Sequence, residues 1–273
     1  MVGSVAQAQE EAWTYEPPPM AVPIETVAVG LDGTCMLLCD DGWREAMVGT
    51  VSLDDTEGER QQTLYVGATP EYGKARFLDR LAREVARTKH RDPGATYVGL
   101  ADGAESHWRV LASHTSVQLL DFYHAAGYLG AGAAAVHPTE AALQRQWLAA
   151  RCHRLTHEPG AADALQQEMA AREQSRGLAK ASKTPLTAAV TYFANHKHQM
   201  QYAEYQTKKY PIGSGVSEAA CKTLVKQRLG NAGMRWKEQG AATILSLRAL
   251  VFTKGRWQQF WDKIDRYGLP VAA

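Results

Sequence analysis

Thr26-Val27-Ala28-Val29-Gly30-Leu31, Ala46-Met47-Val48-Gly49-Thr50-Val51-Ser52-Leu53 and Gln62-Thr63-Leu64-Tyr65-Val66-Gly67 are three short runs rich in apolar and β-branched residues. Each has the length of a strand and is bounded by polar, glycine-bearing sequence. The first run stops at Asp32-Gly33-Thr34, and the acidic stretch from Asp54 to Arg60 reads as a hairpin connection between the second and third. Strands joined this closely open a sheet in the antiparallel manner.

Downstream of Pro70, Phe77, Leu78, Leu81, Val85 and Ala86 recur at helical spacing, with Lys74, Arg76, Arg80, Arg83 and Arg87 on the other faces. His90-Arg91-Asp92-Pro93-Gly94 ends that helix. Thr96–Ala101 is a fourth strand, closed by Asp102-Gly103, and Ser116–Leu120 a fifth, closed by Asp121. From Phe122 to Tyr210 helix formers dominate, with breaks expected near His137-Pro138, Glu158-Pro159-Gly160 and Lys183-Thr184-Pro185. A turn at Pro211–Gly215 leads into a helix over 216–229, capped by Ser214 or Ser217, and two more follow over 241–252 and 256–266. Three antiparallel strands followed by alternating ones predict an α/β fold, a mixed five-stranded sheet of the ribonuclease H-like type. A helical insertion over about 125–210 would precede the last helices. A doubly wound parallel sheet lacks the opening hairpins. Residues 1–24 are polar, then proline-rich (Pro17, Pro18, Pro19, Pro23), and predict a linker or truncated N-terminal region before a single domain over 25–273.

Composition excludes several classes. With 45% hydrophobic and 22% charged residues, the 273-residue chain is neither disordered nor collagen-like. No run of 18 apolar residues offers a membrane span. Four cysteines are too few for a disulfide framework. The net charge of +1 conceals an asymmetry: residues 1–179 carry −9 and residues 180–273 carry +10. A basic tail of that size suits a polyanion, although it could also pair with the acidic half.

Two strands end in the same pair of letters, Asp32-Gly33 and Asp102-Gly103. A carboxylate just past a buried strand is held rigidly at a sheet end, and two of them on neighbouring strands can share a divalent cation. Each Asp-Gly alone also reads as a turn. Glu218 falls in the first turn of its helix, with Lys222 four residues on, so it is either a ligand beside a phosphate contact or a helix-dipole residue. Asp121 with His124 at i+3 is either a supporting pair near a metal or an N-cap with a packed histidine. Cys152-His153 with His157 lacks an evident fourth zinc ligand, and Cys35 and Cys39 flank an apolar run as core residues do. Arg235-Trp236-Lys237 and Arg256-Trp257 interleave cations with aromatics; Trp257 and Trp261 have the spacing of a core face.

The strings Val29–Thr34, Gly99–Ala104, Leu120–Ala125 and Tyr210–Lys222 together resemble the catalytic core of bacterial insertion-sequence transposases of the ISKra type, relatives of mutator-like DDE transposases. The likeness runs from about Glu25 to the C-terminus, and the last string is its most specific part. The resemblance implies a DDE triad of Asp32, Asp102 and Glu218 holding two Mg²⁺ ions, with Mn²⁺ as a substitute. It implies supporting roles for Asp121 and His124, and DNA strand cleavage and transfer at insertion-sequence ends. Transposon ends and target DNA would be the partners, bound by a homo-oligomer in the bacterial cytoplasm at the nucleoid, with no membrane involved. Family members usually carry an end-recognition region before the first strand, so the chain is expected to be a truncated copy or a fragment. Lys222, Lys226, Arg228, Arg235 and Lys237 are the first candidates for phosphate contacts. The rival readings are an inactive fragment that only binds DNA and a ribonuclease H-type nuclease.

Overall fold

The computed structural model describes residues 2–10, 12–17, 19–71, 74–175 and 179–269. Strands β1 (Ile24–Leu38), β2 (Gly42–Asp55), β3 (Arg60–Ala68), β4 (Thr96–Ala101) and β5 (Val117–Leu120) form one mixed sheet in the order β3-β2-β1-β4-β5. This is the α/β architecture that the order of strands and helices predicts. The chain divides into two compact units. The first holds Met1–Gly99, Arg109–Ser116 and Gly215–Ala273; the second holds Leu100–Trp108 and Val117–Ser214.

In the first unit β1 pairs antiparallel with β2, and β2 with β3. β1 does not stop at Asp32. It continues for six residues beyond it, with Asp32 opposite Val48 and Leu38 opposite Gly42. Asp and Gly are depleted in strands, which makes the pair read as an ending. Gly33 instead keeps a path open for a neighbour, because a Cβ there would run into the side chain of Glu45 on β2. Past it, Thr34, Met36 and Leu38 are buried while Cys35 is exposed, the alternation of a half-buried strand. Cys35 and Cys39 are therefore surface residues, not core.

Helix α2 (Ala75–Arg91) lays Phe77, Leu81 and Val85 on the sheet. Gly49 admits them: a Cβ there would lie 3.1 Å from Leu81 and 3.3 Å from Phe77. A second apolar cluster joins Met36, Leu38, Ala46 and Val48 to Leu224, Val225, Leu229 and Leu245. Those partners come from the helical stretch α9 (Gly215–Ala220), a π-helical turn (Cys221–Lys226) and α10 (Gln227–Leu229), and from α11 (Glu238–Phe252). Phe260 and Ile264 of α12 (Arg256–Tyr267) form a third cluster with Val5 and Ala6.

Val5 and Ala6 lie in a stretch expected to be linker. Val2–Ala8 is instead a helix, α1, packed on α11, with Gln7 accepting from Thr243 at 2.7 Å. The prolines that follow draw attention from an apolar i, i+3, i+4 pattern at Val2, Val5 and Ala6. Trp261 packs against this cluster, as the core-face reading expects, but Trp257, though stacked on Phe260, is exposed and does not belong to the core.

The second unit takes part of α3 (Glu105–Ala112), then α4 (Phe122–Val136), α5 (Ala141–His157), α6 (Ala161–Gln174), α7 (Lys180–His196) and α8 (Tyr202–Thr207). Helices α4 and α7 pack together, flanked by α5 and α6, around Leu129, Leu165, Met169, Leu186 and Phe193. This helical stretch fills the expected insertion. The breaks at His137 and at Glu158–Gly160 fall where expected, but α7 runs through Pro185. A proline in the second turn of a helix forfeits only one backbone bond, and burial of Leu186, Ala189 and Phe193 offsets that loss. Among the described residues, no helix is long and apolar enough to cross a membrane.

Asp54, at the end of β2, is 4% exposed, and burial pushes its carboxyl up from 3.8 to about 6, against the pull of Arg60. A raised folded pKa contributes stability that is complete below the unfolded value and is lost as pH rises through about 6. Asp54→Asn removes that loss. Its melting temperature should exceed that of the wild type at pH 8, by the equivalent of about 2 kcal/mol, and match it at pH 4. Equal melting differences at both pH values would contradict this account.

Candidate active site

The first unit contains two of the predicted acids, Asp32 on β1 and Glu218 on α9. Asp32 Oδ1 accepts from the Gly33 N–H at 2.7 Å. Its Oδ2 accepts from the thiol of Cys221 at 3.4 Å, closing a sequence separation of 189 residues. Burial pushes the Cys221 thiol up, and the negative charge of Asp32 and its hydrogen bond push it further, so the sulfur stays protonated and donates. Glu218, in the first turn of α9 and one turn before Cys221, acts on the thiol in the same direction. Asp32 is thus bonded to a sulfur that lies one helical turn beyond Glu218, which is itself exposed.

Two small contacts seat α9. Ser217 Oγ lies 2.8 Å from Thr50 Oγ1 on β2, both buried. Gly30 on β1 makes the room, since a Cβ there would run into Ser217 Oγ and lie 3.0 Å from Thr50 Oγ1. The helix then passes into the π-helical turn of Cys221–Lys226. Such turns are rare and common at functional sites. No sequence signal marks this one; the tight Gly30–Ser217 approach is the only local hint, through the glycine.

The second unit holds the other acids. Asp102 follows β4, and Gly103 turns the chain with φ +105, a conformation for which glycine is suited. Asp102 Oδ1 accepts from the Ala104 N–H at 3.1 Å and lies 3.2 Å from His107 Nδ1. The hydrogen bond from His107 holds its carboxyl at about 2, so Asp102 is ionised throughout the neutral range. Both bonds fall on Oδ1, which leaves Oδ2 for another partner among the described residues. Tyr192, stacked on Tyr128, donates to the Asp102 carbonyl at 2.8 Å.

Asp121 is fully buried. It N-caps α4, with Oδ1 accepting from the His124 N–H at 2.9 Å and lying 3.3 Å from His124 Nδ1. Its Oδ2 accepts from the Ser214 N–H. Burial pushes this carboxyl up, but the hydrogen bonds of Ser214 and His124 outweigh burial and hold it below the usual range. Asp121 is therefore a helix N-cap with both oxygens engaged within the protein, while His124 is exposed and not the packed histidine that this reading expected. Sequence reasoning missed His107, Tyr192 and the donor role of Cys221.

Asp121, His124 and Glu218 carry donor groups that could hold a metal ion. Lys222 and Lys226 lie on the π-helical turn, Arg228 on α10, and Arg235 and Lys237 flank Trp236; all five are exposed. Trp236 is fixed by backbone bonds to Leu37 and Cys39 at 3.0 and 2.9 Å, and Arg228 lies 5.4 Å from its ring. No family model matches the chain, and no curated protein matches it.

Gly30→Ala should destabilise the protein by about 1–3 kcal/mol, because the added methyl displaces Ser217. The same change in a Ser217→Ala background should cost less, since the clashing oxygen is gone. Denaturant melts of the four proteins of this cycle check it; strict additivity would refute the contact as the cause.

Proposed function

We propose that this protein is the catalytic core of a metal-dependent DNA transposase of the DDE type, as the resemblance to ISKra-type elements implies. The observation that supports the reading is the bond of Asp32 to Cys221, one helical turn past Glu218, which ties the strand of the first acid to the helical stretch of the last. The resemblance assigns Asp102, which follows β4, as the third acid of the triad. The donor chemistry fits Mg²⁺ or Mn²⁺. Asp102 is ionised and Asp32 is held by neutral donors, and hard cations take such oxygens. Asp32, Asp102 and Glu218 would hold two ions, which neutralise charge on the scissile phosphate and on the attacking and leaving oxygens.

The chain's own residues position and retain. His107 keeps Asp102 anionic and fixes its orientation. Asp121 ties Ser214 down, and so fixes the residue before Gly215, where the helix of Glu218 begins. Lys222, Lys226, Arg228, Arg235 and Lys237 take the phosphate backbone. All five are exposed, and among the described residues none of them joins an ion pair with the acidic part of the chain. DNA ends and target are the substrates of this reading, a homo-oligomer on DNA its working form, and the bacterial nucleoid its setting.

Purified protein should nick supercoiled plasmid with Mg²⁺ and lose this activity with chelator. Asp32→Asn, Asp102→Asn and Glu218→Gln should each lower the rate by roughly 100-fold or more. Asp121→Ala should cost less than Asp102→Ala at equal folded fraction. Wild-type levels in Asp32→Asn would end the proposal, and cleavage confined to an RNA–DNA hybrid would favour a ribonuclease H-type nuclease.

If about five phosphates are contacted, log K for duplex DNA should fall against log salt with a slope of about −4 to −5. Arg235→Gln with Lys237→Gln should flatten the slope by up to about two units, for all sequences alike. Negligible duplex affinity at low salt would show that these charges serve no DNA contact.

A further inference from the structure

Away from those carboxylates, the first unit contains a cavity of about 630 Å³ between the C-terminal turns of α2, strand β3, the segment Thr14–Pro17 and the start of α12. That volume suits a small organic molecule. Its charged lining is unbalanced: Arg87, Arg91, Lys254 and Arg256 face Glu16 and Glu84. Glu84 is committed to Arg256 at 2.6 Å and to Arg87 at 3.6 Å. Arg91 binds Asp92 through Nε alone, and its buried Nη2 has no partner among the described residues. The cations of α2 complement the negative end of their own helix, but Lys254 lies outside it, is exposed and has no acidic partner among the described residues.

A second, independent feature points to a ligand. Gln62, 4% exposed, lines the same cavity, and its Oε1 is buried with no hydrogen-bond partner among the described residues. Its Nε2 is held only by a long 3.4 Å bond to the Lys254 carbonyl. An orphaned buried acceptor is costly, and a ligand N–H reached by turning the terminal amide would satisfy it. Leu64, Ala86 and the ring of Tyr15, under Arg256 at 5.6 Å, supply an apolar and aromatic part of the wall, and Thr14, Thr88 and His90 a polar part.

We infer that this cavity binds a nucleoside monophosphate, with the phosphate on Lys254 and Arg91 and an N–H of the base on Gln62. A phosphate dianion matches the surplus cations, a base supplies the N–H donor, and its flat apolar faces suit the wall. This inference does not rest on the transposase reading and involves none of its residues.

Calorimetric titration of the full chain with adenosine, guanosine, cytidine and uridine 5′-monophosphates should give saturable 1:1 binding by at least one, with Kd below about 1 mM. Inorganic phosphate should bind at least about tenfold more weakly. Lys254→Gln should weaken the nucleotide by about tenfold without lowering the melting temperature, since its ammonium makes no internal bond. Gln62→Leu should weaken the nucleotide but not inorganic phosphate. The inference fails if no monophosphate binds at 1 mM, if phosphate binds as tightly as the nucleotide, or if Lys254→Gln, still folded, binds as the wild type does.

Discussion

A carboxylate buried to 0% exposure must be hydrogen-bonded or neutralised, and Asp121 meets this demand with donors from His124 and Ser214, the Ser214 hydroxyl among them. The His124 amide, the His124 ring and the Ser214 amide converge on its two oxygens. Its own N–H donates to the Ala101 carbonyl at 2.8 Å, and the next N–H, of Phe122, to Ile212 at 2.9 Å. One residue therefore joins the ends of β4 and β5, the start of α4 and the chain returning from a helical stretch of some ninety residues. Replacing the carboxylate would leave several buried donors unpaired together.

The fold was legible where pattern and chemistry agreed. β3, β4 and β5 alternate or run apolar and end at turn residues, and the structure puts them within one or two residues of their expected limits. Asp102-Gly103 is a true strand end because Gly103 takes a positive φ there. Asp32-Gly33 has the same letters and a different role, since Gly33 lies inside a paired strand and yields space to Glu45. The dipeptide reports that a side chain is unwelcome at the glycine; whether the reason is a turn or a crossing neighbour depends on tertiary contacts. Pro185 and the prolines after α1 misled in a related way, as burial outweighed local propensity at both places.

Around the candidate acids, the hydrogen-bonding partners could not be read from sequence. His107 stands five residues from Asp102, yet that spacing meets only because α3 begins at once after the turn. Cys221 and Asp32 are separated by 189 residues, and their contact depends on the seat made by Gly30, Thr50 and Ser217. The π-helical turn at Cys221–Lys226 is a response to that packing, with Cys221, Leu224 and Val225 buried while Lys222 and Lys226 face solvent. Helix propensities carry no trace of it.

The nature of those partners bears on what the carboxylates can do. A lysine or arginine on Asp32 would neutralise it and compete with any cation brought to the site. The observed donors to Asp32 are a backbone N–H and a thiol, which is a weak donor and, being held protonated by burial, brings no charge. Asp102 is oriented by a backbone N–H and an imidazole on one oxygen only. Both groups are thus fixed in direction while their charge stays available. The exposed lysines and arginines that follow Glu218 lie on the solvent side of the helix and beyond it, where they can meet phosphate without quenching Asp32. Orienting donors thus lie inside and cations outside. A structural ion-pair network would bring the two sets of charges together.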